Sequence, residues 1–135
     1  YLANKRRRIA AVGFDAAANG EVVFAERYPL EEFWAMPVPM DGPRLQSTRS
    51  SMASLELKQY AVIPRPDLIL VLAADLDTLR RRKDDLPIDD HRAKVEAARA
   101  LEPGPRVHVI DATQPYPAVL LEAKRRVWDE ILATR

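Results

Sequence analysis

The pattern of hydrophobic residues predicts one buried strand near the middle of the chain. Residues 68–74 form an unbroken apolar run, LILVLAA, without the alternation that is typical of a half-exposed antiparallel strand. The run is also too short to cross a membrane as a helix. We interpret it as a strand of a parallel sheet that helices cover on both faces.

A basic helix is predicted directly after this strand. Asp75 or Asp77 can cap it, and its cationic residues are Arg80, Arg81, Arg82 and Lys83. The carboxyl end of a strand followed by a basic helix is a common place for an α/β protein to bind an anion. The alternative interpretation is a buried strand followed by a charged helix that only faces solvent.

Further helices and strands alternate along the chain. Helical spacing predicts helices at residues 2–18, 51–62, about 90–101 and 115–134, and apolar runs predict strands at residues 21–27 and 106–112. Asn19-Gly20 should end the first helix, and Asp89 or Asp90 should cap the third. Residues 36–51 are irregular and predict either a surface loop or a substrate loop.

The last helix carries an apolar stripe that predicts its buried face. The stripe consists of Leu120, Ala123, Val127 and Ile131. We expect Trp128 in the core or at its edge. Taken together, the elements predict an α/β fold, with a parallel sheet covered by helices on both faces in a single domain at residues 1–135.

Composition narrows the class of protein. The 47% hydrophobic and 30% charged residues are typical of a globular domain, and a net charge of +1 argues against a nucleic-acid polycation. The chain has no cysteine, which excludes disulfides and thiolate metal sites and agrees with a reducing cytoplasm. No segment of the sequence is long and apolar enough to span a membrane, so we expect a cytoplasmic protein with no membrane partner.

The predicted strands place candidate chemistry at their carboxyl ends. Glu26 and Arg27 follow the first strand, Asp75 and the arginine-rich helix follow the second, and a polar loop follows the third. Phosphoryl transfer needs positive charge on the phosphoryl oxygens and a carboxylate near the acceptor or the metal, and these positions supply both. The two histidines are not candidate catalytic residues, because the position of His108 is typical of the core and that of His91 is typical of the surface.

Four motifs then resemble thymidylate kinases of the P-loop nucleoside monophosphate kinase superfamily. They are LANKRRR, VVFAERYP, PDLILVLAADLDTLRRRK and VIDATQP, and they occur in the order of that family. The resemblance covers nearly all of the chain and corresponds to the carboxyl-terminal two-thirds of a kinase. It implies transfer of the γ-phosphoryl group of ATP to a nucleoside monophosphate, with Mg²⁺.

The resemblance also implies roles for single residues. Glu26 and Arg27 would be catalytic residues, as would Arg80 and Arg82, and Glu26 would also be a magnesium ligand. Arg27 and Tyr28 would bind substrate together with Lys5. Arg80, Arg82 and Arg92 would supply positive charge from a lid at about residues 80–92. The loop that would wrap the adenine of ATP consists of Asp111, Ala112, Thr113 and Gln114.

The sequence departs from the family in one major respect. The phosphate-binding motif G-x-x-x-x-G-K-[ST] does not occur, because the four glycines are Gly13, Gly20, Gly42 and Gly104. We expect that the strand and loop of this motif precede the given sequence, as in an incomplete domain. The alternative is a non-catalytic nucleotide- or protein-binding module that lacks the motif. Nucleotides are the expected partners, nucleic acid is not, and a homodimer is left open.

Overall fold

The computed structural model describes residues 2–26, 28–29, 51–82, 87–101 and 104–133. Within these residues the protein is mixed α/β, with five helices and a two-stranded parallel sheet. The chain forms two compact units, Tyr1–Arg65 and Pro66–Arg135. The irregular segment at residues 36–51, predicted as either a surface loop or a substrate loop, lies outside the described residues except for Ser51. Arg27 also lies outside them.

The first unit contains two helices that contact each other. The helices are α1 (Leu2–Ala18) and α2 (Ser51–Ala61). Tyr60 of α2 is buried, and its hydroxyl accepts a hydrogen bond of 2.7 Å from Nη1 of Arg6 on α1. The guanidinium of Arg6 also lies 5.9 Å from the centre of the tyrosine ring, so one cation of the basic run on α1 is turned inward.

Helix α1 ends at the predicted place by a Schellman motif. Gly20 has φ 88°, a left-handed conformation that glycine adopts without steric cost. The amide of Gly20 donates to the Ala17 carbonyl at 2.9 Å, and the amide of Glu21 donates to the Ala16 carbonyl at 3.2 Å. These two bonds satisfy carbonyls that the end of a helix leaves without a partner.

The strand predicted at residues 21–27 is absent from the part that is described, residues 21–26. Val22, Val23 and Phe24 are 56%, 46% and 76% exposed, and no regular structure includes them. A strand needs a neighbouring strand for its amides and carbonyls, and no strand in the described residues pairs with this segment. This prediction was therefore wrong for residues 21–26.

The second unit contains the sheet. Strands β1 (Ile69–Ala73) and β2 (Val107–Asp111) pair in parallel, with Val71 opposite Val109 and Leu72 opposite Ile110. Both strands fall inside the runs that predicted them. Paired residues of a parallel ladder share a face, yet Val71 and Ile110 are buried while Val109 and Leu72 are exposed. The cover is therefore incomplete at these two pairs, although Ile69 and Val107, which are paired on the same face as Val71, are both buried. The prediction that both faces of residues 68–74 are covered fails at Leu72.

Three helices complete the second unit. They are α3 (Leu76–Arg82), α4 (Ile88–Ala100) and α5 (Tyr116–Ala133). Asp75 caps α3, because its Oδ1 accepts a 2.7 Å hydrogen bond from the amide of Thr78. Helix α4 instead begins at Ile88, after Pro87 in an extended conformation and without a side-chain cap. The predicted capping role of Asp89 and Asp90 was wrong, and both lie in the first turn, where their charge favours the helix dipole.

Helix α5 buries the predicted stripe only partly. Leu120, Ala123, Val127 and Ile131 are all half-buried, which agrees with the predicted inner face. Trp128, however, is exposed, so its assignment to the core or its edge was wrong. None of the helices among the described residues is long and apolar enough to span a membrane.

Candidate functional site

The best-defined candidate site lies at the carboxyl end of the two parallel strands. The Ala112 amide donates to the Ala73 carbonyl at 2.7 Å, which extends the ladder one residue beyond β2. The chain then turns through residues 111–114, here called the 111–114 loop, before α5 begins at Tyr116. Open parallel sheets place their ligands at this end.

Asp111 organises the loop. Its Oδ1 accepts hydrogen bonds from the hydroxyl of Thr113 at 2.6 Å and from the amide of Thr113 at 2.9 Å. Asp and Thr side chains commonly form such local turns after a strand. The two bonds favour the ionised carboxylate, so they lower the pKa of Asp111, the hydroxyl of Thr113 having the larger effect.

Arg82 connects helix α3 to this loop. Its Nη1 donates a 2.7 Å hydrogen bond to the Ala112 carbonyl, and its Nη2 lies 3.5 Å from the Gln114 carbonyl. The planar guanidinium can address both carbonyls at once because its donors form a fixed fork. The structure thus brings together two groups that the sequence assigned separately, a lid arginine and the 111–114 loop.

Helix α3 holds Arg82 in place through its first turn. The amide and side-chain hydrogen bonds from Thr78 lower the pKa of Asp75, with a smaller contribution from Arg81 and Arg99. Thr78 is buried, and its Oγ1 also accepts a 3.1 Å hydrogen bond from Arg81. Because α3 has only seven residues, this capped first turn orients the whole helix.

The other predicted lid residues are placed differently. Arg80 lies two residues before Arg82, about 200° away around the helix, and therefore cannot make the same contact. It is exposed. Arg92 forms an exposed ion pair with Asp89 at 3.5 Å, of a kind that contributes about 1 kcal/mol or less. The centre of the predicted lid, residues 83–86, lies outside the described residues.

The remaining predicted site residues belong to the first unit. Lys5 is exposed on α1, and Glu26 is exposed at a bend. Tyr28 is half-buried, its hydroxyl donates to the Pro64 carbonyl, and burial raises the pKa of its phenol.

No preformed metal cage occurs among the described residues. Nowhere in them do three or more His, Asp or Glu side chains converge as metal ligands. Mg²⁺ in phosphoryl-transfer enzymes is commonly held by one or two carboxylates plus phosphate and water oxygens. A single carboxylate such as that of Glu26 fits that mode.

An open groove runs beside the loop, between β2 and α5. It has a volume of about 480 Å³, within the range of small-molecule sites. Apolar residues such as Val109 and Leu121 line it together with the polar residues Asp111, Gln114 and Arg125. No pattern in the sequence predicted this groove.

His91 is a second feature whose position differs from the prediction. It was expected at the surface, but it is buried in the first turns of α4, and its Nε2 has no hydrogen-bond partner within the described ranges. Its four-residue spacing from the buried Val95 places both side chains on the inner face of the helix. The four-residue spacing between His91 and Val95 was the sequence signal from which the buried position of His91 could have been predicted.

Comparison with protein-family models, with curated protein sequences and with solved structures found no match to this chain. The resemblance to thymidylate kinases therefore rests on the sequence motifs alone.

Proposed function

We propose that this chain is the nucleotide-binding part of a nucleoside monophosphate kinase, in which the 111–114 loop contacts the base of ATP. The observation that carries the proposal is the contact of Arg82 with the carbonyls of Ala112 and Gln114. A cation and a shaped polar loop meet there at the carboxyl ends of two parallel strands, where α/β folds bind ligands.

The proposed reaction moves the γ-phosphoryl group of ATP to the phosphate of a nucleoside monophosphate, with a thymidylate-like acceptor. An acceptor phosphate oxygen forms the new bond to the γ-phosphorus, and the bond to the β,γ-bridging oxygen breaks. The electron pair of that bond stays on ADP. Mg²⁺, when bound, would neutralise charge on the phosphate oxygens.

The residues of this chain would position the nucleotides and balance their charge. Arg82 fixes the loop and leaves its guanidinium at the edge of the proposed ATP site. Glu26 is proposed to hold the metal or the acceptor, and Lys5 and Arg27 are proposed to contact the acceptor. Catalysis of this type consists mostly of positioning and electrostatic stabilisation, so few covalent roles are needed.

A second candidate function is a non-catalytic nucleotide-binding module. The same contact favours it, because an arginine whose donors bind main-chain carbonyls has fewer donors for a transferring phosphoryl group.

One experiment separates the two functions. The full-length protein is incubated with Mg²⁺ and ATP labelled at the γ-phosphate, in parallel with a panel of nucleoside monophosphates, and ATP binding is measured by calorimetry. We expect ATP binding and transfer of label to thymidylate or a related acceptor. Binding without transfer to any acceptor would support the module, and absence of ATP binding would contradict both.

A further inference from the structure

Residues 21–26 have no regular structure, but a side-chain contact holds their first half against α1. The chain reverses at Gly20, after the end of that helix. A Cβ atom placed on Gly13 of α1 would lie 3.3 Å from Cγ1 of Val23, which is closer than an ordinary van der Waals contact. Val23 therefore lies directly on the backbone of α1, at a position where glycine leaves room for it.

Tyr28 makes a second contact just beyond this segment. Its hydroxyl donates a hydrogen bond to the carbonyl of Pro64, 36 positions along the chain. Tyr28 is half-buried, and burial raises the pKa of its phenol, so the hydroxyl keeps the proton that it donates. The bond thus connects position 28 to a distant part of the first unit.

The carbonyl of Pro64 belongs to a turn that is itself held in place. The turn follows α2 and is closed by a 3.0 Å hydrogen bond from the amide of Ile63 to the carbonyl of Tyr60. Tyr60 is 2% exposed, and its hydroxyl is hydrogen-bonded to Arg6 of α1. The hydroxyl of Tyr28 therefore binds a carbonyl whose position depends on the packing of α1 and α2.

Glu26 lies between the two contacts, three residues after Val23 and two before Tyr28. A segment that is held on both sides has already lost much of its conformational entropy, so less is lost when a substrate binds. Placement also matters for rate, because an error of about 1 Å in the position of a catalytic group can lower turnover by about 10²-fold. The two contacts supply the placement that strand pairing does not give to Glu26.

We propose that Tyr28 is a positioning residue, whose hydrogen bond to Pro64 places the carboxylate of Glu26 for the metal or the acceptor. A phenol has a single proton to donate, so the Tyr28 hydroxyl does not donate to a substrate while it is bonded to Pro64. This inference rests on the proposed function, because it concerns the carboxylate that the kinase reaction would use.

A double-substitution cycle in the full-length protein tests this role, with labelled ATP and the panel of nucleoside monophosphates. Tyr28→Phe removes only the hydroxyl and should lower turnover by about 5- to 10-fold, with an unchanged KM for ATP. When Glu26→Gln is already present, Tyr28→Phe should lower turnover by less than about 2-fold, because the carboxylate that it positions is gone. A residue with a general structural role would lower turnover by the same factor in both backgrounds.

Glu21→Gln provides the matched control background, since Glu21 is an exposed carboxylate at the start of the same segment. In that background Tyr28→Phe should keep its full effect. Unchanged turnover in Tyr28→Phe, or equal falls in the Glu26→Gln and Glu21→Gln backgrounds, would overturn the positioning role but not the kinase function. Absence of transfer by the unsubstituted protein would instead contradict the kinase function and, with it, this inference.

Discussion

Two short segments of this chain have similar sequences and different structures. Residues 22–24, VVF, and 107–110, VHVI, are both rich in β-branched residues, and an acidic residue assigned to the site follows each within two positions. The second is a strand that pairs with β1, whereas the first has no regular structure and is exposed. β-propensity therefore acts only where a neighbouring strand is available.

The difference extends to the candidate site. Asp111 is the last residue of a paired strand, and its carboxylate accepts hydrogen bonds from Thr113 in the loop that Arg82 contacts. Glu26 follows the unpaired segment and lies exposed at a bend. The hydrogen bonds of a paired strand fix the position of a site residue at its end. An unpaired segment makes no such backbone hydrogen bonds, so it does not fix the position of a residue at its end.

The largest effect is expected on the free energy of unfolding, when Ile110→Ala is compared with Phe24→Ala. Ile110 is buried in β2, so its truncation should lower the free energy of unfolding by roughly 3 kcal/mol, through lost burial and a residual cavity. Phe24 is 76% exposed, and its truncation should change that free energy by about 0.5 kcal/mol or less. Urea denaturation measures both. Equal losses would show that residues 22–24 are packed as well as β2.

Glu26→Gln tests whether the segment with no regular structure nevertheless carries a functional carboxylate. If Glu26 positions the metal or the acceptor, turnover should fall by roughly 10²-fold. Stability should change little, because the side chain is exposed. Glu21→Gln, an exposed change at the start of the same segment, is the control. Near-normal phosphoryl transfer by Glu26→Gln would remove Glu26 from the site.

The pH dependence of stability tests the ordered loop. Because the pKa of Asp111 is lower in the folded protein than its ordinary value, the ionised carboxylate stabilises the fold above that ordinary value. This contribution is lost as the pH falls through the lowered pKa, so stability should decrease below about pH 4.

Asp111→Asn should reduce this loss of stability at low pH, and Asp75→Asn should do the same, since the pKa of Asp75 is also lowered. Thermal unfolding between pH 7 and pH 2 provides the measurement, and Asp67→Asn, an exposed change just before β1, is the control. An unchanged pH profile for Asp111→Asn would contradict the role of its carboxylate in the loop.

Local signals predicted most of the fold correctly. The apolar runs at residues 68–74 and 106–112 located both strands, and Asn19-Gly20 located the end of α1, because Gly20 alone can adopt the required φ at low cost. Helix spacing located α5 to within a residue at each end. Each of these signals lies within a few residues of the structure it predicts.

The failures depend on contacts that the local pattern does not contain. Residues 22–24 have a strand-like sequence, but pairing requires a partner elsewhere in the chain. Trp128 is apolar, yet the rotation of α5 on the sheet turns it outward. His91 is polar, yet its spacing from Val95 turns it inward. Within the site, the contact of Arg82 with Ala112 joins residues 30 positions apart, and no spacing rule predicts it.

The central claim is that Arg82 fixes the 111–114 loop for ATP binding, and ATP calorimetry of two arginine variants tests it most directly. Arg82→Gln should weaken ATP binding about 10-fold or more, because the Ala112 carbonyl loses its charged donor and the loop loses its anchor. Arg81→Gln removes the same charge from the adjacent position, where the guanidinium contacts Thr78 instead, and should weaken ATP binding by about 2-fold or less. Equal effects of the two substitutions, or unchanged ATP binding by Arg82→Gln, would contradict the claim.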